Sequence, residues 1–304
     1  GAPAMTTARA ASDRSGAQAA PETPRGARIS DHDFRRLGEF IAARCGIRIT
    51  EAKRTLVETR LQKRLQALKL PGFGEYCDYL FGPKGLAEEL VPMIDLITTN
   101  KTDFFRESAH LDLLAARAAP ALLAETGAGT RRPLRVWSAG CSTGEEPYSL
   151  AMVLSEFAER TPGFRFEILA TDISTRVLER AAGAVYEEDR VDPVPEGMRR
   201  KYLLRSKDRS RALVRIAPEL RALVTFRRLN FMDEEYDGGE RKDGVFCRSV
   251  ISYFDKTTQE TILNRIARCM GPGAFLFTGH SETLFGLRTP FRQVASTVYR
   301  REAS

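Results

Sequence analysis

A run of small residues between an apolar segment and an amphipathic one limits what this chain can fold into. Residues 135–138 read as the end of a buried strand, and residues 139–144 then supply a tight turn whose backbone another molecule can approach. Pro147 fits the first turn of a helix, and apolar residues recur at helical spacing over 150–157. Strand, tight loop and helix in this order predict the opening unit of a nucleotide-type α/β sheet.

Two carboxylates directly after the loop narrow the kind of ligand. Glu145 and Glu146 occupy the N-terminal end of the predicted helix, where the helix dipole favours negative charge. A carboxylate pair repels a phosphate but suits an amino group or ribose hydroxyls. The chain also has neither G-x-G-x-x-G nor G-x-x-x-x-G-K-[ST]. On this stretch alone, an ordinary acidic first helical turn beside a flexible loop stays open as the plainer interpretation.

Asp172 follows the next predicted strand, residues 166–170. An acidic residue at the end of the second strand of such a sheet is where a ribose is usually held. The alternative is that Asp172 caps the helix predicted over 174–184.

Composition indicates a globular protein without a membrane span. The chain has 304 residues, enough for two domains, with 42% hydrophobic and 29% charged residues. No apolar run approaches the roughly 18 residues that span a bilayer, and no signal peptide pattern is present. Five widely spaced cysteines favour reduced thiols in the cytoplasm, and three histidines without metal-ligand spacing predict no metal site. The net charge of +7 suggests an acidic partner, which nucleic acid, an acidic protein face or anionic lipid would each satisfy.

The chain divides by pattern into a tail, a helical unit and an α/β unit. Residues 1–28 are rich in Ala, Pro, Ser, Gly and Arg, which predicts a disordered tail, and the residues before Met5 resemble an expression scar. Residues 29–98 predict an all-helical domain whose first helix begins at Ser30 or Asp31 and ends at Cys45-Gly46. Three further helices are predicted over 51–70, 73–81 and 86–99. The second has a predicted buried stripe of Leu56, Leu61, Leu65 and Leu68. Its remaining surface carries Arg54, Arg60, Lys63 and Arg64, which predicts docking onto an acidic face of a partner; a solvated basic face is the alternative.

Residues 99–304 predict the α/β domain. A helix is predicted over 111–125, and the α/β alternation is interrupted at about 185–228 by short strands that suggest a small antiparallel insertion. Later strands are predicted at 225–230, 244–247, 274–278 and 294–300, with a helix at 257–270.

Six motifs in order give a resemblance over about 29–300. They are 99–107 (TNKTDFFRE), 137–149, 170–173, 229–231, 245–248 with 253–256, and 279–282 (GHSE). With these motifs the chain resembles the CheR-type chemotaxis receptor methyltransferases. The resemblance implies an α/β fold, a Rossmann-like class I S-adenosylmethionine-dependent methyltransferase sheet, with the helical domain recognising the receptor. It also implies S-adenosyl-L-methionine as cofactor, with S-adenosyl-L-homocysteine as product, methyl-accepting chemotaxis receptors as partners, and a monomer.

The resemblance also assigns roles to particular residues. It implies that Asn100, Thr102 and Arg106 contact the cofactor, that Glu146 holds its amino end, and that Asp172, with Ile173, binds the ribose side. Asn230 and Phe231 flank the adenine, Cys247 and Arg248 lie beneath the sulfonium, and Tyr253 lies near the transferred methyl group. The implied catalytic residues are Arg106, Arg248 and Tyr253. Glu145 remains the alternative to Glu146.

Two positions depart from the family pattern. Ser249 stands where the family usually has Asn, which predicts reduced but retained activity. The loop 206–211 lacks the glycine of members that dock a receptor peptide by strand addition.

The implied reaction is methyl ester formation on receptor glutamates. A glutamate is ionised at pH 7 and needs no general base, in keeping with the absence of an evident acid/base pair. Two alternatives remain at this stage. One is a nucleic-acid methyltransferase, although the basic helix carries no interleaved aromatic residues. The other is a non-catalytic, cofactor-binding regulatory module of the same fold.

Overall fold

The computed structural model describes residues 27–98, 101–208, 210–236 and 239–303. The predicted tail therefore falls almost wholly outside the described residues, as does Asn100. Twelve α-helices lie in the described ranges. They are α1 (Asp31–Cys45), α2 (Arg54–Leu68), α3 (Phe73–Phe81), α4 (Pro83–Glu88), α5 (Leu90–Ile97), α6 (Ser108–Leu113), α7 (Ala119–Thr126), α8 (Glu145–Arg160), α9 (Thr175–Gly183), α10 (Glu196–Tyr202), α11 (Pro218–Arg221) and α12 (Lys256–Arg268).

Ten strands form two sheets in the described part of the chain. They are β1 (Leu134–Ala139), β2 (Phe166–Asp172), β3 (Val185–Glu187), β4 (Leu203–Arg205), β5 (Leu213–Ile216), β6 (Val224–Arg228), β7 (Lys242–Cys247), β8 (Met270–Thr278), β9 (Phe291–Ala295) and β10 (Val298–Arg301).

The main sheet has seven strands in the order β6-β2-β1-β7-β8-β10-β9. The first five are parallel, and β10 runs antiparallel to both β8 and β9. The strand order reverses at β1, since β2 lies on one side of it and β7 on the other. Ligands of open α/β sheets bind outside the carboxyl ends of the strands at such a point. The predicted Rossmann-like sheet is therefore present, and its switch point falls at the loop that follows β1.

Alternating residues of β1 face the two sides of this sheet. Leu134 and Val136 belong to one hydrophobic cluster, with α8, while Trp137 and Ala139 belong to another, with α12. This alternation is expected of a strand that is buried on both faces. Trp137 is 1% exposed, and its indole N–H donates to Thr171 Oγ1 at 2.9 Å, so its polar atom is satisfied inside the core.

The N-terminal helices form a third hydrophobic cluster. Ser30 caps α1 by accepting the N–H of Asp33, and Gly46 ends the helix in the left-handed conformation at φ 70°, both as the sequence predicts. The segment predicted as one helix over 86–99 is instead two, α4 and α5. The break between them falls at Glu89, whose buried carboxylate accepts hydrogen bonds from Arg64 and Tyr76.

The predicted buried stripe of α2 was partly wrong. Leu56 is 39% exposed, and Val57 takes its place beside Leu61 and Leu65 in the core, with Leu68 partly buried. The helix starts only at Arg54, after a 3₁₀ turn at Glu51–Lys53, so the spacing counted from residue 51 did not locate the inward face.

Two predictions for the α/β unit also need correction. The helix predicted over 111–125 is α6 and α7 joined by a π-helical segment, Leu114–Ala118; Pro120, in the first turn of α7, has no N–H to donate. The antiparallel insertion is a three-stranded sheet of order β3-β5-β4, and it does not reach residue 228, because β6 pairs in parallel with β2 in the main sheet. No described helix is long and apolar enough to cross a membrane.

Candidate active site

A cleft lies at the carboxyl ends of β1 and β2, with the helical unit closing its far side. The described residues that line it come from both units. They are Cys45, Ile47, Lys53, Ile97, Thr98, Lys101, Thr102, Arg106, Gly140, Ser142, Glu146, Thr171, Asp172, Ile173, Leu229, Asn230, Phe231, Arg248, Ser249, Val250, Tyr253 and Phe254.

The loop after β1 brings backbone to the floor of this cleft. Gly140 adopts φ +86° and Gly144 φ +98°, conformations that side chains with a Cβ rarely adopt. A Cβ on Gly140 would lie 2.4 Å from Val250 Cγ2, and one on Gly144 would lie 2.7 Å from the Tyr186 hydroxyl. The predicted run of small residues is therefore required by close packing on both sides of the loop.

Glu146 points into the cleft and is held on both oxygens. Its Oε1 accepts the Ser138 hydroxyl at 2.6 Å, and its Oε2 accepts the Arg248 Nε–H at 2.7 Å. The Arg248 Nη1 also donates to the Arg106 carbonyl at 2.7 Å. Because Glu146 and Arg248 are each 9% exposed, the pair is a buried, hydrogen-bonded ion pair.

Glu145 faces away from the cleft, although it is the next residue in the chain. It is 1% exposed, and it pairs with Arg190 Nη2 at 2.9 Å and accepts the Thr143 hydroxyl at 2.6 Å. Arg190 also donates to the Thr102 carbonyl at 2.7 Å, so this pair supports the cleft wall from behind. The geometry thus favours Glu146 of the two carboxylates for a ligand contact.

Asp172 lies at the end of β2 with its carboxylate oriented by backbone donors. Its Oδ2 accepts the N–H of Ser142 at 2.9 Å, and its Oδ1 accepts the N–H of Ser174 at 3.0 Å. Burial raises the pKa of Asp172, and these backbone hydrogen bonds oppose that rise. The cap of α9 is Ser174 rather than Asp172, so the alternative reading of Asp172 as the helix cap does not apply.

Apolar side chains form the wall on the far side of Asp172. Ile173, Leu229 and Phe231 line this part, which suits a flat apolar group. Asn230 lines it too, although its Nδ2 donates to the Arg44 carbonyl of the helical unit at 2.7 Å. Asn230 is therefore also a contact between the two units.

The mouth of the cleft carries cationic and aromatic groups. Arg106 and Thr102 line it, and Arg106 Nη1 donates to the Lys101 carbonyl at 3.1 Å. The Lys53 ammonium of the helical unit lies 5.5 Å from the centre of the Tyr253 ring.

Among the predicted site residues that the structure describes, Cys247 does not line the cleft. Its side chain is fully buried in the core beneath the sheet, where burial raises its pKa well above the usual value. The alternation of β7 explains this placement, because the neighbouring Arg248 then turns toward Glu146. Asn100 lies outside the described residues, so its predicted role remains a prediction.

Glu282 is a residue of the site region to which the sequence assigned no role. It is 5% exposed and accepts three backbone N–H groups, from Ser249 at 2.8 Å, Ser252 at 3.0 Å and Gly279 at 2.8 Å. It thereby fixes the segment that carries Arg248 and Tyr253. Its only signal in the sequence is its membership of the motif 279–282.

The hydrogen-bond acceptors and the apolar wall of the cleft fit S-adenosylmethionine. The ligand's ammonium and ribose hydroxyls are hydrogen-bond donors, and acceptors are supplied by Glu146 in the first turn of α8 and by Asp172 at the end of β2. Its adenine has flat aromatic faces, which suit the apolar wall at Phe231. A sheet of this order with such a cleft at its switch point defines a Rossmann-like methyltransferase that uses S-adenosylmethionine.

Comparison with known proteins supports that class. A family model described as "CheR methyltransferase, SAM binding domain" matches residues 100–300, and one described as "CheR methyltransferase, all-alpha domain" matches residues 32–98. The "Chemotaxis protein methyltransferase" of Salmonella typhimurium is 39% identical over 273 residues, covering 89% of this chain and 90% of that protein. That of Borreliella burgdorferi is 38% identical over 259 residues, with 85% and 90% covered, and that of Escherichia coli is 38% identical over 273 residues, with 89% and 91% covered.

The chain therefore belongs to the CheR methyltransferase family. The resemblance seen in the six motifs is confirmed, as are the predicted fold class and the use of S-adenosylmethionine.

Proposed function

We propose that this protein methylates glutamate side chains of chemotaxis receptors, forming methyl esters. The observation that carries the proposal is the lack of a free base among the described residues that line the cleft. No histidine lines it, and its two carboxylates, Glu146 and Asp172, are already engaged by Arg248 and by backbone N–H groups. A nucleophile that is ionised at pH 7, such as a glutamate carboxylate, needs no base.

The residues of the chain act here by binding and orientation. When bound, S-adenosylmethionine supplies an electrophilic methyl group on a sulfonium centre. Glu146 and Asp172 hold its two polar ends, and the hydrogen bond from Arg248 fixes the orientation of the Glu146 carboxylate. Orientation of this kind contributes on the order of 7–11 kcal/mol in favourable cases.

The cleft mouth suits an anionic substrate. Lys53, Lys101 and Arg106 place positive charge around the opening, and Tyr253 offers a hydroxyl donor beside them. An incoming carboxylate would be attracted to this rim, and burial by the receptor would strengthen each contact.

The basic face of α2 needs to be reinterpreted as part of this proposal. Arg60 Nη1 donates to three carbonyls at the end of α5, at 2.9 to 3.1 Å, and Arg64 forms a bidentate pair with the buried Glu89. Arg54 pairs with Asp31 at 2.7 Å. These arginines stabilise the helical unit, so reversing Arg60 and Arg64 would test folding rather than receptor docking. Lys63 is exposed and remains suited to contact an acidic receptor helix.

A methylation assay tests the proposal directly. The full chain is incubated with methyl-labelled S-adenosylmethionine and a receptor cytoplasmic fragment, and the labelled fragment is then treated with alkali. Volatile, base-labile label on the fragment is expected, because methyl esters hydrolyse readily. A fragment in which the candidate glutamates are replaced by alanine serves as control and should stay unlabelled.

The other results point elsewhere. Base-stable label would indicate an amine or nucleic-acid product and would contradict ester formation. Cofactor binding by calorimetry with no label transferred to any receptor fragment would instead favour the non-catalytic module.

A further inference from the structure

A second cluster of polar side chains lies behind the cleft, and the methyl-transfer chemistry does not use it. It consists of Glu107, His110 and His280, whose ligand atoms all lie within 4.8 Å of one another. Glu107 and His280 are 173 positions apart in the chain. Only the fold brings them together: Glu107 precedes α6, His110 lies within it, and His280 follows β8.

Two buried atoms in this cluster face each other without a hydrogen bond. Glu107 Oε2 and His110 Nδ1 lie 3.3 Å apart, and neither has a hydrogen-bond partner among the described residues. His110 is 3% exposed, and its other nitrogen, Nε2, lies 2.9 Å from Thr297 Oγ1. A buried polar group left unpaired destabilises the fold, so the persistence of two such atoms calls for an explanation.

The spacing of the three atoms is that of a metal-ligand set. Tetrahedral zinc with bonds of about 2.0–2.1 Å places its ligand atoms roughly 3.3 Å apart. Glu107 Oε2 is 3.3 Å from His110 Nδ1 and 3.9 Å from His280 Nε2. The three ligand atoms lie within 4.8 Å of one another, and the His280 side chain is 61% exposed, so it can turn toward the other two and leave room for a water as fourth ligand.

The orientation of the His110 ring also suits metal ligation. Metal-bound histidines usually make a hydrogen bond through the nitrogen that does not bind the metal, and Thr297 is such a partner for His110 Nε2.

We propose that Glu107, His110 and His280 form a binding site for a divalent transition metal, with Zn²⁺ as the best match. Two imidazole nitrogens and one carboxylate oxygen favour Zn²⁺ over Mg²⁺ or Ca²⁺, which prefer all-oxygen sets. Arg248 Nη1 lies 3.8 Å from Glu107 Oε2, and its positive charge opposes any cation, so the site requires an ion that imidazole nitrogens bind tightly. The proposal is independent of the identity of the methyl acceptor.

A metal here would act on the segment that carries Arg248. Glu107 Oε1 accepts the backbone N–H of His280 at 3.3 Å. Glu107 also follows Arg106, whose carbonyl accepts a hydrogen bond from Arg248. A bound ion would draw Glu107 away from Arg248 and join the segment before α6 to the loop after β8. Zinc is therefore expected to change affinity for S-adenosylmethionine as well as to stabilise the fold.

The test uses the full chain, free of any affinity tag and pretreated with a chelator. Zn²⁺ is titrated by calorimetry, and Co²⁺ is added separately to record its visible spectrum. We expect one equivalent of either ion, with Co²⁺ bands typical of nitrogen and oxygen ligands. An intense thiolate-to-cobalt band would assign the ion to a cysteine such as the half-buried Cys269 and would overturn the proposal.

Matched histidine variants make the test specific. His280→Asn removes an exposed ligand with little risk to folding, and it should weaken Zn²⁺ binding at least about tenfold, since even outer-shell partners are worth that much. His32→Asn, in the exposed first turn of α1, should bind as the unsubstituted chain does. Zn²⁺ should also raise the thermal midpoint of His32→Asn but not of His280→Asn. Absence of saturable binding, or equal binding by the two variants, would refute the site.

Discussion

The Glu146→Gln substitution tests the assignment of the cofactor's amino end most sharply. It removes one negative charge with almost no change in volume, at a carboxylate that lines the cleft. The amide oxygen can still accept one hydrogen bond, from Ser138 or from Arg248, but the partner of a ligand ammonium is lost.

The size of the effect follows from the charge and burial of this group. A hydrogen bond to a charged group is worth about 1.5–3 kcal/mol. That range corresponds to a roughly 10- to 150-fold weaker affinity for S-adenosylmethionine. The upper part of the range applies if the ligand excludes water, because Glu146 is only 9% exposed before anything binds.

Glu145→Gln is the matched control, because it makes the same chemical change one residue away. Its carboxylate faces Arg190 and not the cleft. We expect cofactor affinity to stay within about threefold, or 0.7 kcal/mol. Thermal stability should fall instead, because Arg190 loses a buried partner.

Isothermal titration calorimetry with S-adenosylhomocysteine measures the affinity of each variant without turnover. Circular dichroism of both variants checks that the fold is retained. Equal losses of affinity in the two variants, or a larger loss in Glu145→Gln, would refute the argument that Glu146, and not Glu145, points at the ligand.

Three further predictions follow from single contacts. Asp172→Ala should weaken S-adenosylmethionine binding by about 1.5–3 kcal/mol in calorimetry; unchanged affinity would remove Asp172 from the site. Ser249 has φ +57°, a conformation that asparagine tolerates better, so Ser249→Asn should raise both the thermal midpoint and the turnover while leaving cofactor affinity similar; a lower turnover would show that the site has adapted to serine. Burial raises the pKa of Cys141, Cys247 and Cys269, so these thiols stay protonated at pH 8. In mass spectrometry after iodoacetamide treatment, the half-buried Cys269 should react before the other two, and early labelling of Cys247 would contradict its place in the core.

Local patterns predicted the central unit well because its determinants are contiguous in the chain. Strand β1, the small-residue loop and helix α8 each depend on neighbours within a few residues. The capping serine and terminal glycine of α1 are likewise short-range signals. The sequence could place Asp172 at the site because the carboxyl ends of parallel strands all lie at one edge of the sheet, where ligands bind.

Long-range contacts set the features that the sequence did not reveal. Arg248 reaches Glu146 across 102 positions, and Arg190 reaches Glu145 across 45. Nothing in the spacing of one segment indicates which carboxylate an arginine from another will meet. The same holds for Glu282, whose three backbone donors come from two separate loops.

Counting charges along a helix is the clearest case in which sequence reasoning fails. The basic surface of α2 suggested a docking face, yet Arg60 satisfies carbonyls at the end of α5 and Arg64 neutralises Glu89. A helix C-terminus leaves carbonyls without partners, and a buried carboxylate needs a counter-charge, so such arginines are required by the fold itself.

The positive charge available to an acidic receptor therefore lies elsewhere, at the cleft mouth and on exposed lysines. Lys53 belongs to the helical unit and also lies at the cleft mouth, where its ammonium group is close to the Tyr253 ring. If the proposed function holds, receptor recognition and methyl transfer share one rim, and a receptor helix held by the helical unit would present its carboxylate where the cleft opens.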